Sequence, residues 1–232
     1  MDRRGLRSVT TTSADGPQTP VPDTGFSARI DRATQIAFQA TSLQRNELAR
    51  STVVVFNWWG GPGVIWAAAL LWLGARALRR PRIAEIGLRA SESIAVSSAI
   101  SGIVKGLAGR ARPFLTPGEP WHWDFAHGWT DARYFSMPSG HTTAAFAFAA
   151  ATGLMAARWP RLAGAGVAVT VITGALLVGF ARMYLDQHWA TDVLAGALLG
   201  TATGIGLVTW HARHPDSAFD RALLGPVART PR

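Results

Sequence analysis

The sequence contains no cysteine among its 232 residues, which excludes a disulfide framework, a thiolate nucleophile and a cysteine-ligated zinc site. Charge is also scarce, because Asp, Glu, Lys and Arg make up 16% of the chain, against roughly 25% in ordinary soluble domains. Hydrophobic residues make up 48%, and there are ten tryptophans. This balance indicates a membrane protein, and the length fits one domain.

Acidic residues are fewer than basic ones, 14 against 23, so the formal net charge is +9. A basic chain can bind nucleic acid, but here the basic residues form short clusters between apolar stretches rather than one long stripe. Arginines at the ends of membrane spans explain that pattern. We therefore expect a bilayer around the protein and no nucleic-acid partner.

Both ends of the chain lack apolar periodicity. Residues 1–25 are rich in Thr, Ser, Pro and Gly, a composition typical of a disordered tail. Arg3 and Arg4 are not followed by an apolar run before Pro17, so a twin-arginine export signal is not supported. We predict a disordered tail over 1–25, one membrane domain over 26–213 and a cytoplasmic tail over 214–232.

Four stretches have the length and composition of membrane spans. A helix that crosses a hydrocarbon core of about 30 Å needs about 20 mostly apolar residues. The four stretches carry no charge apart from Asp192, and they are Thr52–Ala75, His141–Ala157, Leu162–Phe180 and Trp189–Trp210. The first contains Gly-Gly-Pro-Gly at 60–63, which predicts a kink there.

A fifth candidate span, Ile83–Val104, contains Glu85, Arg89 and Glu92, whose spacing lets one helical face pair them. The segment Ala28–Arg50 mixes apolar residues with arginines, which is typical of an amphipathic helix on the membrane surface. The predicted fold is therefore all-α: a polytopic transmembrane helical bundle with about five spans plus an N-terminal interfacial amphipathic helix.

Arginines between the spans predict the orientation, because cytoplasmic loops are enriched in Lys and Arg. The clusters that alternate onto one side are Arg76, Arg79, Arg80, Arg82, Arg158, Arg161, Arg213 and Arg221. The other side then holds residues 105–139 and 182–188. This outer side also carries basic residues, which the rule leaves unexplained unless they bind an anion.

The first outer cluster contains Lys105, Arg112 and Pro113. On a continuous helix Lys105 and Arg112 are two turns apart, so both can approach one anion. Arginine holds two phosphate oxygens in a planar fork, and lysine adds a compact charge. By itself the cluster fits binding of lipid headgroups at the interface equally well.

The second cluster is Pro138-Ser139-Gly140-His141, directly before an apolar helix. Ser139 is a typical N-cap, and the backbone N–H groups of the first turn can point at an anion. Gly140 lets the backbone come close to it, and His141 can protonate a leaving oxygen as general acid. A plain helix cap with an interfacial histidine explains these four residues equally well.

The third cluster contains Arg182, His188 and Asp192. Four-residue spacing places His188 and Asp192 on one helical face, where the carboxylate can accept the N–H of one ring nitrogen and leave the other free to attack phosphorus. Arg182 can hold the same phosphate and stabilise its transition state. A buried ion pair at the start of a transmembrane helix is the structural alternative.

Together the three clusters resemble the three-part motif of the type-2 phosphatidic acid phosphatase superfamily. They read Lys105, six residues, Arg112-Pro113; then Pro138-Ser139-Gly140-His141; then Arg182, five residues, His188, three residues, Asp192. The resemblance covers about residues 28–213. One position departs from it, because Ala181 stands where the family usually has serine, so one hydroxyl contact to the phosphate is missing.

The resemblance implies a helical bundle and a phosphohistidine intermediate on His188, with Asp192 orienting the ring and His141 protonating the leaving group. It also implies the residues that bind the phosphate, which are Lys105, Arg112, Ser139, Gly140 and Arg182. No cofactor and no metal are expected, since the site is cationic and carries no cluster of carboxylates of the kind that Mg²⁺ prefers.

The loop Phe114–Met137 is rich in tryptophan and suits either a lid that meets a lipid substrate or an aromatic belt at the interface. Its histidines and Asp124 follow no standard metal-ligand spacing. We expect a lipid phosphate or pyrophosphate substrate, undecaprenyl pyrophosphate in the first place, and phosphatidate or phosphatidylglycerol phosphate in the second. The expected location is the cell membrane, multi-pass, with an extracytoplasmic active site.

Two other classes are weighed against this one. A vanadate-dependent haloperoxidase has a similar anion site, but those enzymes are soluble and this chain has apolar spans. A non-catalytic protein that binds or transports phospholipid needs the cations of the site, yet it does not need both His141 and His188. The oligomeric state cannot be predicted from the sequence.

Overall fold

The computed structural model describes residues 25–214 and 222–223, and this part of the chain is almost entirely helical, with no strand. Its α-helices are α1 Phe26–Phe38, α2 Thr41–Gln44, α3 Glu47–Trp58, α4 Val64–Ala77, α5 Pro81–Ala108, α6 Gly140–Ala156, α7 Arg161–Tyr184 and α8 Ala190–Arg213. The predicted all-α fold is confirmed. The predicted N-terminal tail, up to residue 24, and most of the C-terminal tail lie outside the described residues.

Three helical stretches of the described chain are long and apolar enough to cross a membrane, and they are Glu47–Ala77, Arg161–Tyr184 and Ala190–Arg213. They coincide with three of the five predicted spans. The other two predicted spans correspond to α5 and α6. α6 has only 17 residues, and α5 carries charged side chains. That these two helices also cross the bilayer stays a prediction.

α6 lies at the centre of the bundle, packed against α5, α7 and α8. Most of its residues are buried, and many of them are alanines. α8 approaches it through three glycines spaced four residues apart. A Cβ on Gly196 would lie 2.6 Å from the carbonyl oxygen of Ser139, and one on Gly200 2.2 Å from that of Thr143. The contact between α6 and α8 is therefore a backbone-to-backbone approach that only glycine permits.

The predicted kink between α3 and α4 is confirmed. Residues Trp59–Gly63 form a π-helical segment in which Gly61 leaves helical geometry, with φ −97° and ψ −105°. Pro62 has no N–H to donate inside a helix and its ring crowds the preceding turn. A Cβ on Gly61 would lie 2.9 Å from Nε2 of His141, so the kink brings bare backbone against this side chain.

The charged residues predicted to pair within the fifth span do so in part. Arg89 and Glu92 form an ion pair of 3.0 Å, in which the arginine side chain is 2% exposed and the glutamate 12%. His211 of α8 contacts the same carboxylate, with Nε2 at 3.0 Å from Oε2. The ion pair therefore links α5 to the last helix, which the sequence did not predict.

The prediction that residues 28–50 form one amphipathic helix is wrong, because they are divided among α1, α2 and α3. The chain breaks at Ala40 and again at Asn46, whose side chain caps α3 by accepting from the backbone N–H of Ala49 at 2.9 Å. α1 packs against α7 and α8, and its inward face buries Ala28 and Asp31 completely. This helix therefore contacts protein through one face, and that face carries a charge.

Candidate active site

The three sequence clusters meet at one end of the bundle, where α5 ends, α6 begins and α7 turns into α8. Gly109 ends α5 in the left-handed conformation, with φ +57°, and a Cβ there would lie 2.1 Å from the carbonyl oxygen of Asp124. Arg112 therefore lies in the loop after α5. The expectation that Lys105 and Arg112 share one helix is wrong, because it overlooked this glycine as a helix end.

His188 faces Asp192, as the sequence predicted, but not on one helical face. α8 begins only at Ala190, so His188 lies in the turn before the helix and Asp192 in its first turn. Nδ1 of His188 is 3.6 Å from Oδ2 of Asp192, which is longer than a hydrogen bond. Catalytic contacts are often this long before substrate binds and shorten afterwards. With Nδ1 towards the carboxylate, Nε2 lies on the opposite side of the ring.

Burial sets the protonation state of His188. Its side chain is almost completely buried, and loss of hydration lowers its pKa to about 3. Asp192 raises the pKa, whereas the positive charges of Lys105 and Arg182 lower it further. The imidazole is therefore neutral near pH 7, which keeps a lone pair available on one ring nitrogen.

The carboxylate of Asp192 is fixed from several sides. Its Oδ2 accepts hydrogen bonds from the Ser136 hydroxyl at 2.5 Å and from the backbone N–H of Trp189 at 2.9 Å. Its Oδ1 accepts one from Arg110 at 2.5 Å. Neither Ser136 nor Arg110 was assigned a role from the sequence. Both contacts join residues that are more than fifty positions apart in the sequence. No local sequence spacing predicts such a pairing.

Lys105 is tied to the loop before α6. Its Nζ donates to the carbonyl oxygens of Phe135 at 2.8 Å and Ser136 at 3.4 Å, and also to that of Pro138. Its stem runs beside the second cluster, since a Cβ on Gly140 would be 3.6 Å from the lysine Cε. Lys105 thus holds this loop in place beside the start of α6, and burial lowers the pKa of its ammonium group to about 7, so the group is only partly charged near neutral pH.

The two arginines of the motif are oriented by amide side chains. Arg112 donates to the Ala132 carbonyl oxygen at 3.0 Å and to the side chain of Gln187. Arg182 donates to the side chain of Asn57 in α3. Its Nε is buried and has no hydrogen-bond partner within the described chain. A buried donor of this kind is available to an anion.

Ala181, the departure from the family pattern, lies in a small apolar cluster. It is completely buried together with Val53 of α3 and Tyr184 of α7. The methyl group therefore packs between these helices, one residue before Arg182, where a serine would bring a hydroxyl.

Ser139 occupies the N-cap position of α6, but its side chain does not cap the helix. Its hydroxyl accepts from Thr142 at 2.9 Å, and its backbone N–H donates to the Asp192 carbonyl oxygen at 2.9 Å. The start of α6 is thereby joined directly to α8. The prediction that the Ser139 side chain caps α6 is therefore wrong, but the first turn of the helix still lies at the site.

His141 lines a cavity of about 220 Å³ between α4, α5 and α6. Lys105 and Gly140 line the same cavity, together with Gly61 of the kink and Ser101 of α5. The structure thus places His141 beside Lys105 and the first turn of α6. No described group of three or more His, Asp and Glu side chains is arranged to hold a metal ion.

The loop between α5 and α6 exposes apolar side chains, among them Phe125 at 68% and Trp129 at 59%. Trp121 and Trp123 lie over the guanidinium of Arg110, at 5.7 and 5.3 Å. His127 and Asp124 contact each other at 2.7 Å. The loop therefore places two tryptophans against Arg110, of which Trp121 is itself exposed, and presents further apolar side chains at its surface.

Sequence comparisons connect the chain with known phosphatases. Residues 87–216, more than half of the chain, match the family model of the PAP2 superfamily. The chain is 31% identical over 133 residues to the candidate undecaprenyl-diphosphatase YbjG of Escherichia coli, which covers 57% of this chain and 59% of that protein. It is 31% identical over 117 residues to a lipid A 1-phosphatase of Rhizobium etli, covering 50% and 46%. The chain spans about half the length of these relatives.

Solved structures share the helical arrangement. The chain superposes on the crystal structure of Aquifex aeolicus LpxE with a TM-score of 0.56 and 20% identity, over 82% of this chain and 99% of that one. A transmembrane PAP2-type phosphatidylglycerolphosphate phosphatase from Bacillus subtilis gives a TM-score of 0.61 and 20% identity, over 82% and 87%. These likenesses establish the fold, and the match over residues 87–216 shows that this chain belongs to the PAP2 superfamily.

Proposed function

We propose that this chain is a lipid phosphate phosphatase whose nucleophile is His188. The observation that carries the proposal is the buried pair of His188 and Asp192, 3.6 Å apart, next to the charges of Lys105 and Arg182. A site that only binds phosphate needs the cations. Binding alone does not require a neutral imidazole oriented by a carboxylate, whereas nucleophilic catalysis requires such a pair.

In the proposed first step, Nε2 of His188 attacks the phosphorus atom, and the bond between phosphorus and the leaving oxygen breaks. The negative charge of the bound phosphate favours the protonated form of His141, which gives its proton to that oxygen, and the oxygen leaves on a lipid alcohol or a lipid monophosphate. The positive charge that develops on the imidazole is stabilised by Asp192. Arg182 stabilises the negative charge on the phosphoryl oxygens through its unpaired Nε.

In the second step water attacks the phosphorus atom of the phosphohistidine. His141, now neutral, takes a proton from that water, and the bond to Nε2 of His188 breaks to release inorganic phosphate. The phosphate-binding roles of Lys105, Arg112, Ser139 and Gly140 belong to the same proposal. It is supported by their position around the start of α6 and by the resemblance of the motif.

Undecaprenyl pyrophosphate is the substrate we favour, supported by the name of the E. coli relative. A lipid A 1-phosphate is the second candidate, because the relative from Rhizobium etli carries that activity in its name. Phosphatidate and phosphatidylglycerol phosphate follow. We also propose a multi-pass protein of the cell membrane with its site on the extracytoplasmic side, supported by the arginine clusters at the opposite end.

The test is phosphate release by detergent-purified protein from each of these lipids, with His188→Ala run alongside. We expect release from at least one of them by the wild type, none from the variant, and an acid-labile phosphoprotein on rapid quenching of the wild type. Wild-type protein that binds these lipids but releases no phosphate would instead support the binding or transport function.

A further inference from the structure

The inner face of α1 reaches the candidate active site through Asp31. This side chain is completely buried. Its Oδ2 accepts from Arg110 at 2.7 Å and from the Thr191 hydroxyl at 2.6 Å, while Oδ1 accepts from the Thr191 backbone N–H at 2.8 Å. A buried carboxylate is tolerated only when its charge is paired and its oxygens accept hydrogen bonds, and Asp31 meets both conditions.

Arg110 connects Asp31 to Asp192. One end of its guanidinium donates to Asp192 at 2.5 Å and to the Thr191 hydroxyl at 2.7 Å, and the other end to Asp31. The guanidinium is further restrained by the Pro120 carbonyl oxygen, at 2.9 Å from Nε and 2.7 Å from NH2. Because the guanidinium is planar and rigid, the position of one carboxylate determines where it meets the other.

The charges make the same connection. Arg110 lies between two buried carboxylates and shares its positive charge between them. Without the charge of Asp31, the guanidinium would be neutralised by Asp192 alone, at a contact that is already 2.5 Å, and it would lose the partner that fixes its other end. Asp192 would then be a weaker acceptor for Nδ1 of His188, and the carboxylate would also move relative to the ring.

We propose that Asp31 is a positioning residue for the phosphatase reaction, which acts on His188 through Arg110, Thr191 and Asp192. This inference rests on the proposed function of the pair of His188 and Asp192. Asp31 lies outside the residues that match the family, 87–216. α1 therefore contributes a charged group to the active site in addition to any contact with the membrane surface.

The test compares Asp31→Asn with the wild type, using phosphate release from the best lipid substrate. We expect kcat to fall about tenfold, as for outer partners that orient a functional group. KM and inhibition by inorganic phosphate should stay within about twofold, because Arg110 and Thr191, which hold Asp31, are not among the residues proposed to bind phosphate. Glu47→Gln makes the same change at an exposed acid of the next long helix and should leave kcat unchanged.

A double-mutant cycle separates positioning from a general structural effect. In an Asp192→Asn background, Asp31→Asn should cause no further loss, since the residue through which it acts is already altered. An equal loss in both backgrounds, or wild-type kcat in the single variant, would overturn the proposal. If wild-type protein is inactive, or His188→Ala is fully active, the proposed function fails as well, and the two failures are thereby distinguished.

A second variant covers the case in which Asp31→Asn does not elute as a folded protein. Thr191→Val keeps the shape of the side chain and both carboxylates but removes the hydroxyl that bridges Asp31 and Arg110. We expect a several-fold lower kcat with unchanged inhibition by inorganic phosphate. Unchanged kcat in this folded variant would overturn the proposal.

Discussion

His188 combines almost complete burial with a neutral ring, and this combination has a consequence for stability. Its pKa in the folded protein is lowered to about 3 by burial, whereas the unfolded chain takes up the proton near the ordinary value of 6.5. The unfolded state therefore binds more protons below about pH 6.5. The contribution of neutral His188 to stability is complete above that pH and is lost as the pH falls towards 3.

We therefore predict that acidification destabilises the phosphate-free wild type more than His188→Gln. The difference in free energy of unfolding should grow by up to about 1.4 kcal/mol per pH unit below pH 6. Thermal unfolding in detergent at pH 7 and pH 5 measures it. If the stability of both proteins had the same pH dependence, the His188 ring would take up a proton in the folded protein as readily as in the unfolded chain.

A second prediction at this scale concerns Arg182. Its NH1 is held by Asn57, and its Nε is buried without a partner in the described chain, so the guanidinium can present a planar donor pair to phosphate. Lysine keeps the charge but not this geometry. For Arg182→Lys we expect a loss of about tenfold or more in kcat/KM on every active lipid. A wild-type kcat/KM in this variant would mean that a positive charge at position 182 is enough, without the geometry of the guanidinium.

At the scale of elements, the glycines of α8 decide how closely this helix approaches α6. A Cβ on Gly200 would lie 2.2 Å from the carbonyl oxygen of Thr143, so Gly200→Ala must separate the two helices. Since the start of α6 and Asp192 are joined through Ser139, that separation should reach the active site. Gly206 lies on the same helix, and a Cβ there would have nothing within 4 Å among the described residues, which makes it a matched control.

For Gly200→Ala we predict a loss of about 1–3 kcal/mol of stability, typical of overpacking, together with lower kcat. Gly206→Ala should be neutral or slightly stabilising, because alanine is the better helix former. Thermal unfolding and phosphate release of both variants measure the contrast. Equal behaviour of the two variants would show that α6 and α8 tolerate a wider spacing.

The elements also show what the sequence can predict. Apolar length located α6, α7 and α8 to within a few residues, and the helical stretch Glu47–Ala77 to within five, because a buried or lipid-facing helix needs an uninterrupted apolar run. The helix end at Gly109 was missed, and with it the loop position of Arg112. The start of α8 was located to within one residue, but His188 was still placed on that helix rather than in the turn before it. Asp31 is the one acid between residues 28 and 46. A single acid in this segment indicated a specific role for Asp31. Its partner Arg110 lies 79 positions further along the sequence, so the pairing depends on how α1 packs and could not be predicted.

At the scale of the whole molecule, the absence of cysteine makes the proposed orientation directly testable. Glu119 in the loop at the active-site end and Arg158 between α6 and α7 are both exposed. In intact cells we predict that a membrane-impermeant maleimide labels Glu119→Cys and leaves Arg158→Cys unlabelled. The two should label equally after lysis, and the reverse pattern in intact cells would invert the orientation.

The composition of the site leads to a further prediction for the proposed activity. Its charge stabilisation is assigned to Lys105, Arg112 and Arg182, and no described cluster of acidic side chains and histidines is built for a metal. We therefore expect phosphate release to continue in excess EDTA at more than about half the untreated rate, since a cationic site needs no Mg²⁺ to hold phosphate. Loss of activity in EDTA that Mg²⁺ restores would contradict this.

The contacts of Asp31 also bear on when the proposed active site assembles during synthesis of the chain. One partner of this residue, Thr191, belongs to the last of the long helices, while Asp31 itself lies in the first. A ribosome must therefore have made almost the whole predicted membrane domain before Asp31 can form its hydrogen bonds with Thr191. Nascent or truncated chains that lack α8 cannot assemble the proposed active site, so under the proposed function activity would begin in one late step, after α8 has joined the other described helices.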